Sequence, residues 1–288
     1  MVTIEFLLTP FVACILLILI NVYFGIHVIK REIIFIDIAL AQIAALGSAV
    51  AMVVFHSMHP EAALDHEHSN AFTYLFSVGF ITIAGLIFTF LKHRKISIPL
   101  EAIIGITYAI ATTGTVIILD KGAGGDVHVH DMLIGSILWV SWHQVTRLFM
   151  VVLLVGLFHL IFRRKFKSVS DRLNADSRKI KNPHLWDFLF YFSFGLVVIE
   201  AVNVAGILTV FAFLIIPASL SVLLTNQWKA RLLTGWGISL LCVVIGLYLS
   251  VKIDVPCSPV IIVLLAVALL LGLTFVKLSG RSKKVSAD

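Results

Sequence analysis

The sequence predicts an all-α integral membrane protein, a polytopic helical bundle of about nine spans with one short re-entrant or interfacial helix. Three observations predict it. Of 288 residues, 60% are hydrophobic and 13% charged, against the roughly half-apolar, quarter-charged make-up of soluble domains, and the mean hydropathy is +1.05. The apolar residues come in runs of about 20, the length at which a helix crosses a hydrocarbon layer of about 30 Å, and not as the alternating strands of a membrane barrel. Finally, the lysines and arginines gather between alternate runs.

The first run, residues 7 to 29, lacks a basic segment before it and a small-residue cleavage pattern after it, so it reads as a spanning helix and not a removed signal. Eight more follow at 33 to 55, 71 to 91, 98 to 119, 148 to 162, 185 to 204, 206 to 224, 232 to 250 and 259 to 276. The stretch MLIGSILWVSW, 132 to 142, is too short to cross and is assigned to the re-entrant or interfacial helix. With the N-terminus outside, the inner segments hold Lys30 and Arg31, then Lys92, Arg94 and Lys95, the cluster from Arg163 to Lys181, Lys229 and Arg231, and the basic C-terminal residues. Only Lys121, Arg147 and Lys252, of 22 lysines and arginines, are left outside. If 132 to 142 also spanned, the 163 to 181 cluster would move outside, against the positive-inside rule. The expected architecture is a single transmembrane domain over 1–288, with outer loops 56–70 and 120–131, an inner loop 163–184 and a cytoplasmic C-terminus. The net charge of +6 thus reads as a topology device and not as a nucleic-acid footprint.

The outer loops carry the metal-ligating residues. HSMHPEAALDHEH, 56 to 68, places His56, His59, His66 and His68 beside Glu61, Asp65 and Glu67, and DKGAGGDVHVHD, 120 to 131, adds His128 and His130. Imidazole with carboxylate suits zinc and neighbouring first-row divalent ions. HEHSN has no second histidine four residues after the first, so the H-E-x-x-H helix of metalloproteases is absent. The three cysteines, Cys14, Cys242 and Cys257, suggest neither a disulfide framework nor a thiolate zinc site.

Ionisable groups at membrane depth are costly and point to function. Asp37 lies in the second run, Glu101 near the start of the fourth and Glu200 in the middle of the sixth. Asp37 and Glu101 lie within about a turn of a boundary and can reach water by snorkelling; Glu200 is too deep for that. Gln42, His159 and Asn203 are further polar candidates for a substrate path. Gly206 and Pro217 mark the junction and interior of a broken pair of helices of the kind that lines translocation routes. In the inner loop, Phe166, Val169 and Leu173 recur at helical spacing among charges, which suits a short amphipathic helix at the interface or in a partner's groove. No G-x-x-x-x-G-K-[ST] occurs, so ATP binding of the P-loop kind needs another chain.

Three stretches, GIHVIKREIIFIDIALAQIAALGSAVA (25 to 51), EAIIGITYAIATTGTVIIL (101 to 119) and GILTVFAFLIIPASLSVLL with GLYLSVKIDVPCSPVIIV, resemble the membrane permeases of ATP-binding cassette transporters for zinc and manganese. The resemblance implies a homodimer of permease chains in a prokaryotic cell (inner) membrane, driven by cytoplasmic ATPase subunits and supplied by an extracytoplasmic metal-binding protein. It also implies no permanently bound cofactor, a divalent metal (Zn or Mn) as cargo, ATP handled only by the partner, and the amphipathic residues Phe166, Val169 and Leu173 as one candidate ATPase contact. The family typically carries an Asp and a His four residues apart upstream of a closing glycine; aligned on Gly47, those positions are Ile38 and Gln42. The route is then expected to use Glu200, Glu101 and Asp37, with the loop histidines receiving the ion. A proton-coupled secondary cation transporter, with Glu200 as proton carrier, is the alternative. An intramembrane enzyme finds no serine or zinc constellation.

Overall fold

The computed structural model describes residues 4–58, 66–94, 97–119, 137–171 and 181–279. They form α1 (Ile4–Arg31), α2 (Ile36–Met58), α3 (His66–Lys92), α4 (Leu100–Leu119), α5 (Trp142–Ile161), α6 (Arg163–Ser170), α7 (Pro183–Ala205), α8 (Ile207–Leu224), α9 (Trp228–Ile253) and α10 (Cys257–Leu278). All but α6 are long and apolar enough to cross a membrane, which gives nine candidate spans among the described residues. The helical bundle is as the composition requires.

One boundary differs from the sequence reading. The fifth span begins at Trp142, six residues before the apolar run, because Ser141 and Gln144 form a capping box that starts the helix there. Of the stretch 132–142, residues 132–136 lie outside the described set, Ile137–Trp139 make a single 3-10 turn, and Trp142 already belongs to α5. That turn packs on α1 and α10, with the Trp139 ring edge-on to Phe6 at 5.5 Å.

Because lipid tails are as apolar as leucine, helices in a membrane associate through close packing and polar contacts more than through burial of apolar area. The core shows this in α1, α7 and α8. Gly25 of α1 lies against the backbone of α8 so closely that a Cβ would land on the Leu214 carbonyl oxygen. The alanine-rich α2 uses its small surface in the same way: a Cβ at Gly47 would lie 2.9 Å from the Phe76 carbonyl oxygen of α3. Helices α1 and α7 are the most enclosed, whereas α4 and α10 have the least buried surfaces.

Helices α7 and α8 are joined by Gly206 alone, at φ 77° and ψ 159°. Only glycine adopts that region readily, and its N–H still closes on the Val202 carbonyl at 2.8 Å. This is the helix break that the sequence marked.

Helix ends sort onto two faces. The ends of α1 and α3 and the starts of α7 and α9 meet at one face, where Arg31 and Lys92 bond Asp187 and Trp228 packs against His27 and Lys30. This basic face is the one assigned to the inside; the opposite face holds His56 at the end of α2 and His66 and His68 at the start of α3.

Candidate cation route

Glu200 sits on α7 five residues from Ala205, nearer the histidine-loop end than the middle of the span. Its residue is 3% exposed, and its Oε2 accepts no hydrogen bond among the described residues. Arg147, five residues into α5, approaches from the side with Nε 3.9 Å from that oxygen, and its own side chain is 46% exposed. That separation is an ion pair without a hydrogen bond. His143 lies one turn before Arg147 on α5, and Asn203 lies three residues beyond Glu200 on α7; both are exposed. Tyr74 of α3 is half-buried against the core and within electrostatic reach of Glu200.

The other acids lie elsewhere. Asp37 is in the first turn of α2, on the basic face, 2% exposed and without a hydrogen-bond partner for either carboxylate oxygen among the described residues. Glu101 is half-exposed in the first turn of α4. Ile38 and Gln42, at the positions where the family pattern has its ligands, are half-buried and buried in α2. The three acids are therefore not gathered, and among the described residues no group of three or more His, Cys, Asp or Glu is placed to hold one ion. His56 belongs to the last turn of α2, and His66 and His68 to the first turn of α3. His59, His128 and His130 lie outside the described residues.

A buried polar cluster at the basic face escaped the sequence reading. Arg31 and Asp187, each 1% exposed, are 2.5 Å apart. Lys92 donates to the same carboxylate oxygen at 2.6 Å, and His93 contacts the other at 2.9 Å. Arg31 Nε also donates to Ser170 Oγ at 2.8 Å and its guanidinium lies over the Phe190 ring. Ser170 Oγ also shares a hydrogen bond of 2.7 Å with His27 Nδ1. The Asp187 carboxylate thus ties α1, α3 and α7 together, and Arg31 extends the network to α6 through Ser170. Burial lowers the His93 pKa below its ordinary value, although the Asp187 carboxylate beside it acts in the opposite direction. The signal in the sequence was an aspartate just inside the sixth apolar run; its partner, 156 residues away, was not visible.

His159, expected on the substrate path, is 2% exposed and committed on both nitrogens. Tyr23 donates to Nδ1 at 3.0 Å and Nε2 donates to Ser193 Oγ at 2.8 Å, a tautomer set by Ser193 donating onward to the Phe190 carbonyl. Phe166 stacks on the His159 ring at 3.9 Å and is itself fully buried. The apolar side of α6 is thus docked on its own bundle, with Val169 half-buried beside it, because Phe166 finds its aromatic partners there. What α6 exposes is Arg163, Arg164, Lys165 and Lys167. Leu173 lies outside the described residues.

A model of the ABC 3 transport family matches residues 3–276. The chain belongs to that family. As an ABC 3 transport protein it is 25% identical over 248 residues to the "Manganese transport system membrane protein MntC" of Listeria monocytogenes, covering 84% of each chain. It is 23% identical over 190 residues to the "Probable metal transport system membrane protein" of Chlamydia muridarum, of whose length it spans 62%. The structure of PsaBC from Streptococcus pneumoniae in complex with Fab superposes with a TM-score of 0.75 over 96% of both chains at 20% identity, which establishes a shared fold. The family assignment drawn from the three sequence stretches therefore holds.

Proposed function

We propose that this chain is the membrane permease subunit of an ATP-driven importer of divalent metal ions, with manganese or zinc as cargo. The observation that carries the reading is the family match across residues 3–276 on a nine-span bundle. Support for manganese comes from the name of the Listeria relative and from the oxygen-rich acids of the spans, since carboxylate donors suit manganese and added imidazole extends the choice to zinc. Two copies of the chain enclose the path, cytoplasmic ATPases bind at the basic face, where α6 offers its exposed arginines and lysines, and an extracytoplasmic metal-binding protein delivers the ion at the histidine loops. The chain itself performs no chemistry; it offers weak ligands in turn, so that the ion is bound firmly enough to come in and loosely enough to leave.

Liposomes holding the permease with its ATPase should take up manganese only when ATP is supplied on the ATPase side. Uptake driven by a pH gradient without any ATPase would instead establish the proton-coupled alternative. In the same assay, changing His56, His59, His66 and His68 together to alanine is expected to raise the manganese or zinc concentration needed for half-maximal uptake about tenfold, the loss of about 1.4 kcal/mol of capture free energy, with the maximal rate preserved. An unchanged metal dependence would remove these histidines from the route.

A further inference from the structure

We infer that Glu200 and His143 form a weak divalent-cation site near the mouth of the bundle, and that Arg147 is its resident counter-ion, displaced when metal binds. This deepens the permease reading and rests on it.

The inference comes from comparing two ion pairs in one molecule. At the basic face, Arg31 and Asp187 show what a structural buried pair looks like here: both groups 1% exposed, 2.5 Å apart, with further donors on the same carboxylate. The Arg147–Glu200 pair keeps only the burial of its acid in common with this. The Glu200 side chain is 5% exposed, but the guanidinium stays nearly half in the open, stops at 3.9 Å and leaves Oε2 without a hydrogen bond among the described residues. A buried carboxylate oxygen left in that state retains much of its desolvation cost. It is therefore poised to accept a better cation, and a divalent ion brings twice the charge of the arginine at a shorter contact.

The surroundings supply the remaining donors. His143 stands one turn from Arg147 on α5, and helical residues four apart share a face, so an ion that replaces the guanidinium meets an imidazole on the same side. Asn203 offers an amide oxygen one turn along α7, exposed where Glu200 is buried. One carboxylate, one imidazole, an amide and water make a set suited to manganese or zinc, with too few strong ligands to trap either. Glu200 and Arg147 each lie five residues from a helix end on the face opposite the basic one, about 7–8 Å along the axis, so the site stands between that end of the bundle and its interior. Among the described residues, Arg147 and Lys252 are the lysines and arginines near that end of the bundle. With the arginine resident, Glu200 keeps a charge partner whenever metal is absent.

The test is a manganese titration of the purified full-length chain in detergent, read by the loss of the free Mn2+ paramagnetic resonance signal. Removing a competing resident cation couples to the metal as any linked ligand does, by about 5- to 150-fold. Arg147→Gln is thus expected to bind Mn2+ more tightly by a factor in that range, Arg147→Lys to remain near the natural protein, and Glu200→Gln and His143→Ala to bind more weakly. If Arg147→Gln is monodisperse and binds no more tightly than the natural protein, the arginine is a brace and the inference fails. Should Arg147→Gln not fold, His143→Ala decides: unchanged affinity overturns the site. ATP-driven uptake by the natural permease and ATPase, together with indifferent Arg147 and His143 variants, sinks this inference alone; absence of ATP-driven uptake by the natural pair sinks the permease reading.

Discussion

Replacing Asp187 by alanine is expected to cost the folded chain about 3–5 kcal/mol, the penalty for leaving a buried charge without its partner. Asp187 is the carboxylate that Arg31, Lys92 and His93 share, and Arg31 has no route to water at 1% exposure. The loss also spreads beyond one contact. Helices α1, α3 and α7 meet at this group, and Arg31 carries the network on to Ser170 of α6, so the basic face should loosen as a unit. Thermal unfolding of the purified protein, followed by the fraction that remains monodisperse, measures the effect. Converting the pair together, with Arg31→Met and Asp187→Leu, removes both the charge and the penalty and should recover much of the loss, since apolar replacements of buried pairs are often neutral. A small effect of Asp187→Ala would mean that water reaches the cluster and that the four helices are held by other contacts.

Valine at Gly25 is expected to be as damaging for a different reason. Its Cβ would occupy the position of the Leu214 carbonyl oxygen in α8 and crowd the Ala218 side chain. A side chain can rotate away from such a clash, but a helix backbone cannot. The cost should therefore reach or exceed about 3 kcal/mol, the upper end of ordinary core overpacking, and the α1–α8 crossing should open. Gly79→Ala and Gly105→Ala are the controls: a Cβ there meets nothing within 4 Å among the described residues, so alanine's better helix propensity, worth up to about 1 kcal/mol over glycine, leaves stability equal or higher. Comparison of the three variants by thermal unfolding in one detergent separates backbone contact from a general sensitivity of membrane helices to substitution.

The spans were legible because their signal is local. Every backbone group in a bilayer has to bond within its own segment, so a run of apolar residues such as 232 to 250 already declares a helix, here Trp228–Ile253. Gly206 and Pro217 were legible for the same reason, as residues whose backbone limits do not depend on neighbours. The start of α5 was misjudged because Trp142 closed the short apolar stretch before it and His143, Gln144 and Arg147 read as polar loop in a hydropathy scan, whereas the Ser141–Gln144 capping box makes them a helix end. In the candidate route, Glu200 could be found as an acid inside an apolar run, although it lies nearer the helix end than the middle expected of it, and its arginine could not be found.

The sequence by itself determined that this chain crosses a membrane about nine times, where its basic residues gather, and which family its motifs resemble, since hydropathy, charge spacing and motif order are properties of a linear string. Only the tertiary structure decided that Arg31 belongs to Asp187 and Arg147 to Glu200, that Phe166 is enclosed within its own bundle, and that Asp37 and Glu101 begin their helices at the face opposite Glu200. Those are relations between residues tens to more than a hundred positions apart. They follow from which helix faces meet, and in a membrane that choice is made by close packing of small residues and by a few buried polar contacts, neither of which is written in any one segment.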